Sequence, residues 1–165
     1  MSAARMCRHL IASRAGTRRR FSAESMQAIE RAISAAEART SGEIRFVIET
    51  SLELPDLWAR LTPRDRAAQT FSDLHVWDTE LRNGVLIYVL MADRSVEIIA
   101  DRGAAAVIPP AEWDAVCRSV EENFRARRFT AGAVAGVGAV GGLLERHFPR
   151  AASDRNELPN QPALL

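Results

Sequence analysis

The chain has 165 residues, 47% hydrophobic and 26% charged, the size and balance of one globular domain rather than two. All 22 basic residues are Arg; six stand in residues 1–20 without an acid, leaving sixteen against 21 acids and a net charge of −5 for the remainder. An acidic body argues against a nucleic-acid surface, whose footprint is a basic stripe, and Cys7 and Cys117, with no CxxC and no paired His spacing, encode neither a disulfide framework nor a zinc site.

The leader, residues 1–21, carries positive charge but no apolar run of secretory length, so it is read as a disordered Arg-rich tail. Its composition also suits an organelle transit peptide, a peripheral contact with an anionic membrane surface, or a start at Met6 or Met26. The expected location is cytoplasmic.

A first helix is predicted from Ala23 to Arg39, with Met26, Ile29, Ile33 and Ala36 at helical spacing and Ser22 as its cap. Glu43–Ser51 alternates Ile44, Phe46, Ile48 and Thr50 against Arg45, Val47 and Glu49, a half-buried strand. A second helix follows an irregular lead-in, with Thr62 as cap and Pro63 at the first helical position, where its missing N–H is not needed. After the turn-rich, charged loop 75–84, both faces of Val85–Met91 are apolar, as in a central strand covered on both sides. Residues 92–95 make a hairpin turn into Val96–Ala100, and Ala104–Ile108 is a candidate fourth strand. Ala111–Arg127 and Ala131–Arg146 complete the helices, and residues 150–165 are read as a second disordered tail. The order predicts a single-domain α/β sandwich over residues 22–149, a short mixed sheet of three to four strands flanked by helices.

Gly136-Val137-Gly138-Ala139-Val140-Gly141 spells GxGxxG, but inside a helical pattern with no strand before it, so no nucleotide cofactor is expected. The four-residue spacings Gly132/Gly136 and Gly138/Gly142 instead suit close helix packing. No Ser sits in a nucleophile elbow, and without Lys no phosphate-binding GxxxxGK[ST] exists. The remaining chemistry is oxygen: Asp78, Glu80, Asn83 and Asp101 at strand ends would suit calcium or magnesium if they converge, and Asp93 serves the hairpin turn. No transmembrane segment is predicted, since the charge-free run Ala131–Leu144 has 14 residues against the roughly 20 a span needs.

The string WDTELRNGVLIYVLMADRSVEIIADRG, Trp77 to Gly103, resembles the strand-hairpin core of the TPM domain family. SGEIRFVIET is similar to that family's first strand, and FRARRFTAGAVAGVGAVGGLL to its closing segment. Asn83, Gly84, Asp93 and Arg94 are the positions that match best; the second strand ends in Ala100-Asp101-Arg102-Gly103, where many relatives have a glycine-rich turn. The resemblance implies an α/β sandwich. It also implies kinship with thylakoid lumen proteins of photosystem repair, a receptor-modulating membrane protein and bacterial proteins, for some of which weak acid phosphatase activity and calcium binding are described.

Three functions then compete. One is an accessory or chaperone-like module in membrane-protein assembly that binds a divalent cation through Asp78, Glu80, Asn83 and Asp101. Another is a weak metal-assisted phosphomonoester hydrolase, with Arg82 or Arg102 clamping phosphate. The third is a metal-independent interaction module that uses the Gly-lined last helix, with the oligomeric state open.

Overall fold

The computed structural model describes residues 2–152 and 155–165; Met1 and residues 153–154, which fall in the two expected tails, lie outside it. In chain order the elements are helices α1 (Ala3–Ile11), α2 (Arg14–Arg20) and α3 (Ala23–Glu37), strand β1 (Ile44–Glu49), and helices α4 (Leu54–Trp58) and α5 (Pro63–Asp73). Strands β2 (Val85–Leu90) and β3 (Ser95–Ala100) follow, then helices α6 (Arg102–Val107), α7 (Pro110–Arg125) and α8 (Phe129–His147), and strand β4 (Ala163–Leu164). The sheet runs β3-β2-β1-β4, with β1 parallel to β2 and to β4, and β2 antiparallel to β3. The predicted α/β sandwich is the observed architecture.

The parallel pair dictates the layering. Parallel neighbours need a crossover, here α4 and α5, and a sheet with helices on both faces buries both sides of its central strands. Ile44, Phe46 and Ile48 of β1, with Val85, Ile87 and Val89 of β2, pack into the larger core with Ile29, Ile33, Val120 and Val137 of α3, α7 and α8. Val47, Leu86, Tyr88 and Leu90 face the smaller core, with Leu57 and Ala67 of α4 and α5. Thr62 caps α5 through a complete capping box with Asp65.

Four expectations need correction. The segment read as an N-terminal tail carries α1 and α2, because its charge has a buried partner elsewhere: Arg5 Nε donates to both Asp93 oxygens at 2.9 and 3.1 Å. Arg8 reaches the same carboxylate at 3.3 Å, His9 Nε2 lies 3.2 Å from it, and the Leu52 N–H donates to His9 Nδ1. Asp93 is thus the anchor of α1 as well as a turn residue. Burial pushes its carboxyl up, but the Arg5 and His9 contacts outweigh this and hold it below the usual range.

The C-terminal segment likewise contributes β4, whose neighbour Leu165 donates its N–H to the Ile48 carbonyl at 2.8 Å. β1 is therefore buried throughout rather than half-buried. The candidate strand 104–108 lies within and just after α6, which Asp101 caps by accepting the Arg102 N–H at 2.7 Å. The GxGxxG string lies inside α8, as its helical pattern predicts, and its glycines face different ways. A Cβ on Gly136 would meet Val120 at 2.5 Å and one on Gly132 would meet Asn123 at 2.6 Å, whereas Gly138 and Gly142 face open space. The first pair seats α8 on α7 within the chain and is not available to a partner.

This division sets opposite signs for two substitutions in one helix. Gly136→Leu overpacks the α7–α8 contact and is expected to destabilise by about 1–3 kcal/mol. Gly138→Ala, with room for its methyl, is expected to stabilise by up to about 1 kcal/mol through helix propensity alone. Urea denaturation of the two variants checks both signs.

Candidate functional site

Asn83 and Asp101 stand where the chain enters β2 and leaves β3. Gly84 crosses Val76 so closely that a Cβ would lie 2.0 Å from the Val76 carbonyl oxygen, and a Cβ on Gly103 would lie 2.5 Å from that of Leu81. These contacts hold loop 76–84 against the start of α6. The Asp101 N–H donates to the Gly84 carbonyl at 2.9 Å and the Gly103 N–H to the Arg82 carbonyl at 2.8 Å.

Asn83 is driven wholly inside this junction. Its side-chain amide donates to the Ser41 carbonyl at 2.7 Å and its backbone N–H to Thr79 Oγ1 at 3.1 Å, so the amide orientation is fixed. Asn83 Oδ1 then has no hydrogen-bond partner among the described residues. Asp101 is 6% exposed; its Oδ1 caps α6, and its Oδ2 is buried without a partner among the described residues. Among the described residues, two of the seven buried side-chain N and O atoms without a partner thus belong to this one junction, where most buried polar atoms would be satisfied.

A hard divalent cation would supply positive charge to such oxygens. One amide oxygen and one carboxylate oxygen fit it chemically, as two donors of a site completed by further oxygens. The other expected ligands do not join them. Among the described residues no three His, Cys, Asp or Glu side chains gather as metal ligands, so Asp78, Glu80 and Asp101 form no acid cage. Asp78 and Glu80 are exposed, and the Glu80 N–H is taken by the Glu157 carboxylate. Arg82 and Arg102 are exposed beside the junction, joined to it through backbone contacts. Asp93 and Arg94 lie beyond the far end of β2, at the hairpin turn.

Two polar groupings escaped the sequence reading. Next to Ser41, Glu43 is buried and accepts the Glu157 and Leu158 N–H groups at 3.2 and 3.1 Å, while Glu37 Oε1 accepts the Ile44 N–H at 2.9 Å. Burial pushes the Glu37 carboxyl up to about 8; the Glu43 charge adds to this, and the Ile44 N–H and Asn160 amide oppose it. At the other end of β1, Arg66 grips Glu49 bidentately at 2.9 and 3.1 Å, and the Tyr88 hydroxyl donates to the same carboxylate. Acids at 37, 43 and 49, within or beside apolar runs, were the available signal. Cys117 packs against the core with its thiol pushed up to about 12 by burial, with nearby acids adding, so it is a poor nucleophile.

The TPM domain sequence profile matches residues 17–143. The NMR structure of BA42 protein from the psychrophilic bacterium Bizionia argentinensis is 35% identical, with a TM-score of 0.77 over 87% of this chain and 94% of that one. The N-terminal domain of cg2496 protein from Corynebacterium glutamicum is 16% identical, with a TM-score of 0.55 over 74% of this chain and 73% of that one, a likeness of fold alone. No curated protein matches. Among the described residues no helix is long and apolar enough to cross a membrane.

Glu37 sets a pH dependence whose sign is fixed. Its folded pKa lies above its ordinary value of 4.5, so its contribution is most favourable below that value and is lost as pH rises toward about 8. Stability is expected to fall through this window by about 1 kcal/mol per pH unit on account of this group. Glu37→Gln should flatten the slope, as measured by denaturant unfolding at pH values across the window.

Proposed function

The chain belongs to the TPM domain family, and from this membership we propose that it is an accessory module for membrane-protein assembly or maintenance that binds a divalent cation at the Asn83–Asp101 junction. The observation that carries this reading is the pair of buried, unpartnered oxygens, Asn83 Oδ1 and Asp101 Oδ2. Leaving such atoms unsatisfied costs about 1–3 kcal/mol each, a cost that a bound cation removes. Asn83 and Asp101 would hold the ion, which would fix loop 76–84 against α6. The partner side of the proposal is supported by large apolar side chains on those same two segments: Trp77, Leu81 and Val107 are about half exposed.

Phosphomonoester hydrolysis would need the same ion together with a phosphate clamp. Arg82 and Arg102 flank the junction, but among the described residues neither guanidinium is held by an ion pair that would preorganise it. Binding is therefore the reading the geometry supports best.

A ligand at 100 times its Kd adds about 2.7 kcal/mol, or roughly 5 to 10 °C for a chain of this size. Calcium, magnesium or manganese is expected to raise the Tm of the chelator-treated protein by that order. Asp101→Asn, which keeps the cap, and Asn83→Ala should abolish the shift, while Asp78→Asn and Glu80→Gln should retain it. A thermal scan that moves with no cation would refute the site.

A further inference from the structure

At the opposite end of β2 from Asn83 lies a half-open cleft of about 300 Å³ that the cation reading does not use. Its charged wall is Arg20, Arg94, Arg125 and Arg127, and its aromatic floor is Phe124 and Phe129. Val89 and Met91 complete the apolar side. The four guanidiniums come from three separate places: the end of α2, the β2–β3 turn, and the end of α7.

The one acid among the described residues of the wall, Glu121, is already engaged, with Oε2 accepting from Arg125 at 2.9 Å and Oε1 from the Val96 N–H at 3.2 Å. Among the described residues, Arg20, Arg94 and Arg127 have no carboxylate within ion-pair distance. Three cations without a carboxylate partner among the described residues therefore border one concavity. Arg20 is further positioned by stacking 5.7 Å over the Phe129 ring, which packs edge-on against Phe21 and tilted against Phe124.

Two of these arginines occupy backbone sites that chemistry would give to glycine. Arg127 has φ 60 and closes α7 with paired bonds, its own N–H to the Phe124 carbonyl and that of Arg128 to Asn123, the C-cap geometry in which glycine is the usual residue. Arg94 has φ 55 in the hairpin turn. The left-handed conformation disfavours a side chain at both, yet both carry guanidiniums that border the same space.

We propose that this cleft binds a small phosphate ester of an apolar alcohol, with the phosphate among Arg20, Arg94 and Arg127 and the apolar portion over Phe124 and Phe129. A phosphate carries about two charges and accepts the forked pairs of N–H donors that several guanidiniums present from different directions, which a single carboxylate does not. The cleft lies within the size range of small-molecule sites, and its apolar floor selects an ester over inorganic phosphate. The ester can be a soluble metabolite or the head of an anionic lipid; the chemistry at the arginines is the same.

The test is an NMR titration of the full chain at low salt with phenylphosphonate, which no phosphatase activity can consume, against methylphosphonate as the probe without a ring. The expected result is saturable shifts confined to residues near 20, 91–94 and 121–129, with phenylphosphonate bound about tenfold more tightly than methylphosphonate. Arg94→Gly and Arg127→Gly remove the guanidinium while suiting the left-handed backbone, so they should fold with unchanged or higher Tm and weaken binding about tenfold each. Asp78→Asn, at the other end of β2, should leave binding intact. Phosphatidic acid vesicles form the second arm: binding that phenylphosphonate displaces places the ester in a lipid, and no vesicle binding places it in solution. Equal affinity for the two phosphonates, binding unchanged in both glycine variants, or vesicle binding that phenylphosphonate does not displace would overturn the proposal.

Discussion

At the head of β2 the chain passes itself twice at distances that no side chain tolerates, at Gly84 against Val76 and at Gly103 against Leu81 and Arg82. The rest of that end of the molecule follows from these approaches. They fold loop 76–84 back on itself, enclose Asn83, bring Asp101 beside Gly84, and start α6 from a fixed point. A buried amide oxygen and a buried carboxylate oxygen are left facing no protein donor. The polar atoms at this junction are therefore a consequence of backbone packing, which gives them a rigid setting independent of any exposed loop.

The parallel β1–β2 pair separates two chemistries. Its amino-terminal end gathers oxygens: Asn83, Asp101 and, through Ser41, the neighbourhood of the buried Glu43. Its carboxyl-terminal end is bordered by guanidiniums, some folded onto Asp93 and Glu49 and others left facing the cleft. Nine residues of nearly extended chain from Asn83 to Met91 span roughly 25 Å, so one end can bind without direct contact with the other. The formal charge of +1 hides this polarity, because the six arginines of the first twenty residues offset an acidic body.

Much of the fold was legible because its signals are local. Thr62, Pro63 and Asp65 write a helix start in four residues, the doubly apolar Val85–Leu90 announces a central strand, and the helical period of α8 outweighs its GxGxxG string. What failed was non-local. Arg5 finds Asp93 across 88 residues, and β4 is two residues long, held by register on β1 rather than by its own pattern. The stretch 104–108 resembled a strand by composition, although Asp101 already signalled a helix cap. For the site, Asn83 and Asp101 could be singled out because turn residues at strand ends are visible in sequence, and the fold buries both. Asp78 and Glu80 were added by proximity along the chain, which the fold did not convert into proximity in space.

The central claim is the location of the cation. Manganese titrated into the ¹⁵N-labelled protein at substoichiometric ratio broadens amide signals near the ion. The account predicts that the earliest losses fall on residues 81–84 and 101–104, with Ser41 beside them. Broadening centred instead on the exposed acids Asp78, Glu80 or Glu157, or spread evenly over the acidic surface, would contradict it.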